Sequence, residues 1–255
     1  MKKLKELLTN NKPTIGSWLT IGHVSVAEVM SQRGYDWLTI DMEHSAITLH
    51  ELLPLIVAIE ACGVVPLVRV GENSICLIKR VMDIGAHGVI VPMVNTQEDA
   101  VKAVQAVKYP PYGSRGVGLT RAQEYGFGFE RYKDWVYTDS VVIVQIEHIE
   151  AVHNLEEILS VEGVDGSIIG PYDLSGSLGK PGDFENLDVI HAINHYERVC
   201  AMMKKPMGFH VVQPNHMEAQ KYLDKGYIFL AVGVDFLYLG KKCSEVLVQL
   251  GKRLI

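Results

Sequence analysis

The feature that most constrains the fold of this chain is a repeated alternation of short apolar runs with stretches of helical periodicity. Runs of this length, bounded by turn residues, are typical of buried strands. Strands that alternate with helices form a parallel sheet, and about 250 residues of such units favour a sheet closed into a barrel. The eight apolar runs are residues 15–20, 37–40, 64–70, 88–94, 141–146, 166–169, 206–212 and 228–232.

The segments between these runs complete the pattern. Helical spacing of apolar residues predicts helices over 25–33, 48–61, 154–160, 189–203, 215–223 and 241–254, and an acidic first turn predicts another that begins at Thr96. Residues 109–137, rich in Gly, Tyr and Arg, interrupt the alternation between the fourth and fifth strands. A long loop at this position is expected to build the active site or an interface. We expect one domain over 1–255, with an extra C-terminal helix.

Composition excludes several classes of protein. The net charge of −6 and the absence of a basic run argue against nucleic-acid binding. No apolar stretch is long enough to span a bilayer, and the polar N-terminus lacks the apolar segment of a secretion signal. The scattered cysteines predict reduced thiols in a cytoplasmic protein rather than disulfides or a zinc site; they are Cys62, Cys76, Cys200 and Cys243.

Two carboxylates follow successive predicted strands. Glu147 comes directly after the fifth strand, and Asp173 follows the sixth within the sequence Gly-Pro-Tyr-Asp. Parallel strands bind ligands at their carboxyl ends, so both side chains are expected at the same end of the barrel. Carboxylate oxygens suit hard divalent ions, and the pair therefore predicts a site for Mg²⁺, Mn²⁺ or Co²⁺.

Other polar groups are predicted at the same end. Arg69 lies within an apolar run, where a guanidinium needs an anionic partner and can hold a carboxylate or an enolate oxygen. An ion pair with Asp41 or Glu43 is compatible with that role. His44 is a candidate acid or base that Asp41 can orient, and His148 and His210 also lie near strand ends.

The turn after the sixth strand is a candidate carboxylate-binding site. Gly170 and Pro171 precede Tyr172 and Asp173, and backbone N–H groups at such a turn bind carboxylates well. Next to a metal ligand, this suggests a chelated 2-oxo acid. The sixth strand carries no lysine for covalent catalysis, and no glycine-rich dinucleotide motif follows a strand, which points to a metal-stabilised enolate.

The order of these motifs resembles the HpcH/HpaI aldolase family across nearly the whole chain. The resemblance implies a (β/α)₈ TIM barrel that cleaves 4-hydroxy-2-oxo acids into pyruvate and an aldehyde with a divalent metal. It also implies a homohexamer that exchanges the C-terminal helix between neighbours. The segments that carry it are 34–44, 68–70, 83–94, 109–116, 145–147 and 163–175.

The resemblance also implies roles for individual residues. Glu147 and Asp173 match the metal ligands, and Arg69 matches the residue that holds the keto or enolate oxygen. His44, with Asp41 beside it, matches the acid or base. Gln145 matches a polar group near the bound pyruvate, and Asp83 matches a carboxylate near the site. Pro171, Tyr172 and Asp173 match the turn that binds the substrate carboxylate. Two positions depart from the family pattern. Tyr172 stands where members usually have a small residue, and His148 stands where many members have Thr.

Three alternatives remain at the level of sequence. An acyl-CoA lyase can use the same barrel, but no motif identifies a groove for CoA. A decarboxylase of an oxaloacetate-like substrate uses the same enolate. A non-catalytic assembly protein is disfavoured because an idle site has no need of buried charges.

Overall fold

The eight predicted strands all form and pair in chain order as a closed parallel barrel, which confirms the predicted TIM-barrel fold. The computed structural model describes residues 3–252. Strand boundaries differ from the predicted ones by up to three residues. The strands are β1 (Thr14–Leu19), β2 (Trp37–Asp41), β3 (Val65–Arg69), β4 (Gly88–Val91), β5 (Val141–Ile146), β6 (Gly166–Ile169), β7 (Met207–Val211) and β8 (Phe229–Val234).

The helices surround this barrel. Two of them, α3 and α5, begin with the capping boxes that Thr48 and Thr96 provide. Within residues 3–252 the helices are α1 (Leu4–Thr9), α2 (Val24–Ser31), α3 (Leu49–Ala61), α4 (Ile75–Ile84), α5 (Gln97–Val107), α6 (Phe129–Thr138), α7 (Ile149–His153), α8 (Leu155–Ser160), α9 (Pro171–Ser177), α10 (Leu187–Met203), α11 (His216–Asp224) and α12 (Asp235–Gln249). No helix in this range is long and apolar enough to cross a membrane.

Some helices differ from the predicted ones. The segment around 154–160 forms two short helices, α7 and α8, and the long insert contains α6 and a 3₁₀ helix over Arg121–Gly126. The predicted C-terminal helix, 241–254, instead begins at Asp235, because β8 passes directly into α12. Residues 253 and 254 of that prediction lie outside the described residues.

Two apolar layers hold the barrel together. The outer layer lies between the strands and the helices, and the inner layer fills the barrel, where Trp37 stacks on Phe229 with ring centroids 4.2 Å apart. Gly16 makes room for this indole, since a Cβ there would lie 2.1 Å from the Trp37 ring. Leu4 and Leu8 of α1 join the inner layer. The unpredicted α1 therefore packs against the barrel interior, and the polar side chains gather at the carboxyl ends of the strands.

The junction of β8 and α12 is tied to β1. Asp235, the first residue of α12, is buried, and its carboxylate accepts hydrogen bonds from the backbone N–H groups of Thr20 (2.8 Å) and Ile21 (2.7 Å). The Thr20 hydroxyl donates to the same carboxylate at 2.7 Å. The rest of α12 leaves the barrel, and within this helix only Asp235 is buried.

Candidate active site

The polar side chains predicted at the strand ends converge at the carboxyl end of the barrel. His44, Arg69, Gln145 and Asp173 line one cavity of about 590 Å³. Glu147 and Asp173 line a neighbouring cavity of about 620 Å³, so Asp173 borders both. This is the end at which barrels of this kind carry their catalytic groups.

Arg69 is held in a fixed orientation by two carboxylates and an indole. Its Nε donates to Asp41 Oδ1 (2.9 Å), and its Nη2 donates to Asp41 Oδ2 (2.6 Å). The Nη1 atom lies 3.1 Å from Glu43 Oε2. The guanidinium also lies 4.5 Å from the centroid of the Trp18 ring, a cation–π contact. The register of the barrel places Asp41 and Arg69 opposite each other on β2 and β3, which explains this bidentate pair.

The two carboxylates beside Arg69 differ in their proton affinity. Burial alone would raise the pKa of Asp41, but the hydrogen bonds and charge of Arg69 outweigh it and hold that pKa below its usual value. Burial raises the pKa of Glu43 to about 7, because the neighbouring carboxylates add to the effect of burial and Arg69 offsets only part of it. Asp41 is therefore the permanent counterion of Arg69, whereas Glu43 titrates near neutral pH.

Glu147 is buried and held by two donors. Its Oε1 accepts a hydrogen bond of 2.7 Å from the backbone N–H of Met93, and its Oε2 accepts one from the side-chain amide of Gln145. Met93 has a left-handed backbone, with φ of 51°. Burial raises the pKa of Glu147; these two bonds oppose the rise, and the charge of Asp173 adds to it.

The residues present fit a divalent cation. Glu147 and Asp173 offer carboxylate oxygens to one cavity, and the mutual repulsion of their charges is relieved by a cation. The Oε1 atom of Gln145 is buried, has no hydrogen-bond partner among the described residues, and is a further oxygen that could bind a cation. No group of three or more His, Cys, Asp or Glu side chains suited to a metal occurs within residues 3–252. Hard cations in enzyme sites often take their remaining ligands from water and substrate.

His44 lies at the edge of the first cavity, but Asp41 does not orient its ring. The side chain is 66% exposed, and its Nε2 lies 3.8 Å from Glu43 Oε2. Asp41 Oδ1 instead accepts a hydrogen bond of 3.3 Å from the backbone N–H of His44. The expected side-chain contact is replaced because the bidentate pair with Arg69 occupies both oxygens of Asp41.

The two other histidines near strand ends differ in their roles. His148 caps α7, since its Nδ1 accepts a hydrogen bond of 3.1 Å from the N–H of Glu150. His210 lines the first cavity, where its ring centroid lies 5.3 Å from that of Trp18, and its Nε2 lies 2.9 Å from the carbonyl oxygen of Gly233. Trp18 is a residue of this cavity that no motif in the sequence indicates.

The turn after β6 forms a short helix. Pro171 is the first residue of α9, a position at which its missing N–H costs no hydrogen bond. Tyr172 is exposed, lines both cavities and makes an edge contact of 4.8 Å with Phe184. The predicted binding of a substrate carboxylate by this turn stays a prediction.

Asp83 is not brought to this group of residues within one chain. It lies in the last turn of α4, which runs back toward the amino ends of the strands. There it accepts a hydrogen bond of 2.6 Å from the buried guanidinium of Arg115, which also donates to the Tyr132 hydroxyl. These contacts fasten the insert to the barrel.

Known proteins share this architecture. The family model of HpcH/HpaI aldolase/citrate lyase matches residues 14–240. The 2-keto-3-deoxy-L-rhamnonate aldolase of Escherichia coli (strain K12) is 42% identical over 232 residues, which are 91% of this chain and 86% of that protein.

Two solved structures extend the comparison. An HpcH/HpaI aldolase/citrate lyase family protein from Burkholderia cenocepacia J2315 superimposes with a TM-score of 0.90 at 32% identity, over 99% of this chain and 100% of the other. The citrate synthase SbnG superimposes with a TM-score of 0.85 at 29% identity, over 97% and 96% of the two chains. The chain belongs to the HpcH/HpaI aldolase/citrate lyase family and is an aldolase, a carbon–carbon lyase.

Proposed function

We propose that this aldolase cleaves a 4-hydroxy-2-oxo acid reversibly to pyruvate and an aldehyde with the help of a divalent cation. The observation that carries the proposal is the fixed guanidinium of Arg69, which shares a cavity with Asp173 and Gln145. The name of the Escherichia coli relative supports a 2-keto-3-deoxy sugar acid, such as 2-keto-3-deoxy-L-rhamnonate, as the kind of substrate.

Glu147 and Asp173 would hold the cation, which we propose to be Mg²⁺, Mn²⁺ or Co²⁺. When bound, it supplies Lewis-acid polarisation of the 2-oxo group. Arg69 donates hydrogen bonds to the C2 oxygen, where negative charge develops as the carbon–carbon bond breaks. Asp41 and Trp18 fix the guanidinium before substrate binds, so that little reorganisation accompanies the reaction.

His44 acts as the base in this cycle. Its exposed ring lies on the cavity wall and accepts the proton of the C4 hydroxyl. The C4–O bond becomes the carbonyl of the aldehyde, and the electron pair of the C3–C4 bond moves into the enolate that Arg69 stabilises. Protonation of the enolate at C3 gives pyruvate.

A direct assay tests the proposal. Pyruvate release from a panel of 4-hydroxy-2-oxo acids is measured with Mn²⁺ or Mg²⁺ and again with excess chelator. We expect metal-dependent release from at least one acid, and its loss in Glu147→Gln. Pyruvate release that persists in chelator would contradict the role of the metal, and cleavage of acyl-CoA substrates alone would favour a CoA lyase.

We also propose that the chain assembles as a homohexamer by exchange of α12. Phe236, Leu239 and Leu247 on this helix are 50%, 63% and 45% exposed. An amphipathic helix that leaves its own barrel in this way needs another apolar surface to cover it. A second copy of the chain is the occupant that the family resemblance implies.

A cytoplasmic location belongs to the same proposal. The four cysteines are free, as expected for a reducing compartment.

A further inference from the structure

The two ring nitrogens of His210 differ in their hydrogen bonding. The carbonyl oxygen of Gly233 on β8 can only accept a hydrogen bond, so the Nε2 atom at 2.9 Å must carry the hydrogen. Burial lowers the pKa of His210 to about 4, with Arg69 adding to the effect and the bond to Gly233 opposing it. The ring is therefore neutral near pH 7, and Nδ1 carries a lone pair that accepts hydrogen bonds but is a poor base.

Within the described part of the chain, the lone pair of Nδ1 has no hydrogen-bond partner. No side chain or backbone group among residues 3–252 donates a hydrogen bond to it, and His210 lines the cavity that contains Arg69 and Gln145. Trp18, next to His210 in the same wall, has a buried indole N–H without an acceptor in the described part of the chain. Two neighbouring rings of the wall thus carry an acceptor and a donor that the described residues leave unused.

The rest of the cavity wall is mixed in character. Asn194, Gln213 and Glu218 supply polar groups to it, alongside apolar side chains. An apolar ligand group placed against His210 would cover Nδ1 and leave it without a hydrogen bond, which is unfavourable. A hydroxyl group satisfies it, because a hydroxyl donates one hydrogen bond and can accept others.

We propose that Nδ1 of His210 accepts a hydrogen bond from a hydroxyl group on the aldehyde half of the substrate, which makes His210 a specificity-determining residue for hydroxylated aldehydes. This inference rests on the proposed aldol reaction. A site that hydrogen-bonds a substrate hydroxyl discriminates strongly against an analogue that lacks it.

The test compares glycolaldehyde with propanal, which has a methyl group in place of the hydroxyl. Aldol addition of each to pyruvate is measured with Mn²⁺, and the ratio of the two kcat/KM values is the readout. The hydrogen bond is expected to give a preference of about tenfold for glycolaldehyde in the wild type. The variants are His210→Leu, which has neither nitrogen, His210→Gln, which can still reach Gly233, and His210→Asn, which keeps an acceptor near the position of Nδ1.

The ratio is expected to fall about tenfold in His210→Leu and His210→Gln and by less in His210→Asn. Thermal unfolding checks that each variant is folded. A merely structural role of His210 would change both rates together and leave the ratio unaltered, and that result overturns the inference.

A separate measurement distinguishes failure of the His210 role from failure of the proposed function. Wild-type enzyme with Mn²⁺ is assayed for exchange of the pyruvate C3 protons with deuterated water, which needs the enolate but no aldehyde. If exchange occurs but the ratio of kcat/KM values is unaltered in the variants, only the role of His210 is rejected, and the proposed function stands. Absence of exchange rejects the proposed function, and the inference about His210 with it.

Discussion

At the scale of single residues, the site depends on how Arg69 is held. Asp41 occupies two of its donors from one side, Glu43 lies against a third nitrogen, and Trp18 packs against the plane of the guanidinium. A lysine has one compact charge and cannot reproduce this planar arrangement. The orientation of Arg69, and not only its charge, should therefore matter for catalysis.

Arg69→Lys is expected to lower kcat for pyruvate release by about 10²- to 10³-fold, since one donor to the developing oxyanion is lost or misplaced. The exposed Arg80 on α4 provides the matched control Arg80→Lys. Activity of Arg69→Lys within threefold of wild type, or an equal loss in the control, would contradict the assigned role.

Glu43 makes stability depend on pH. Its folded-state pKa of about 7 lies above the ordinary value of 4.5, so the stability it contributes is fully present below pH 4.5 and is lost as the pH rises through 7. In chelator, Glu43→Gln should therefore unfold at higher urea concentration than wild type at pH 8, with the difference vanishing near pH 4.5. The exposed Glu51, whose pKa is lowered by hydrogen bonds from Thr48, should show the opposite sign in Glu51→Gln. An equal pH dependence of urea unfolding in the two variants would contradict this explanation.

The sequence identified most of these side chains but not all their contacts. Arg69 was conspicuous because a charge within an apolar run needs a partner, and Asp41 proved to be that partner. Trp18 gave no such signal, since an aromatic residue in a strand usually belongs to the core, and His210 was only one of several histidines near strand ends. Their position in the cavity depends on which face of each strand points inward, and on the exact register of β1 and β7.

At the scale of elements, the end of β6 controls the geometry of the carboxylate at the end of β5. Gly170 follows β6, and a Cβ at this position would lie 3.0 Å from Glu147 Cβ and 3.1 Å from its Oε2. It would also lie 3.5 Å from the Gln145 amide nitrogen. Only a residue without a side chain leaves the proposed metal ligand in place.

Gly170→Ala is expected to displace the Glu147 carboxylate and to lower kcat about 10- to 100-fold, because small displacements in a catalytic group are costly. The Mn²⁺ concentration for half-maximal activity should rise as well. Gly116→Ala, at an exposed position of the insert, is the control, since a Cβ there meets no atom within 4 Å. Equal Mn²⁺ dependence of the two variants would refute this reading of Gly170.

Most elements with a periodic signal were predictable, but α4 was not predicted, and neither were the junctions between elements. The eight strands follow from their apolar runs, but α12 begins at Asp235 because this residue binds the backbone after β1, a contact between distant parts of the chain. The short α1 was missed because its six residues are too few to show a helical period.

At the scale of the whole molecule, α12 is the element that a single barrel leaves uncovered. Leu239→Glu and Leu247→Glu place charges on its apolar surface and are expected to shift the enzyme to smaller assemblies in light scattering coupled to gel filtration. Lys241→Glu, at an exposed polar position of the same helix, is the control. An unchanged molar mass in the leucine variants would refute exchange through this helix.

The tie between Asp235 and the backbone of Thr20 and Ile21 gives such an assembly a further consequence. Trp18, which packs against Arg69, lies two residues before Thr20 on the same chain. When a neighbouring copy binds α12, it is connected to the wall of the active site through the hydrogen bonds of the Asp235 carboxylate. The specific activity is then expected to fall when the protein is diluted.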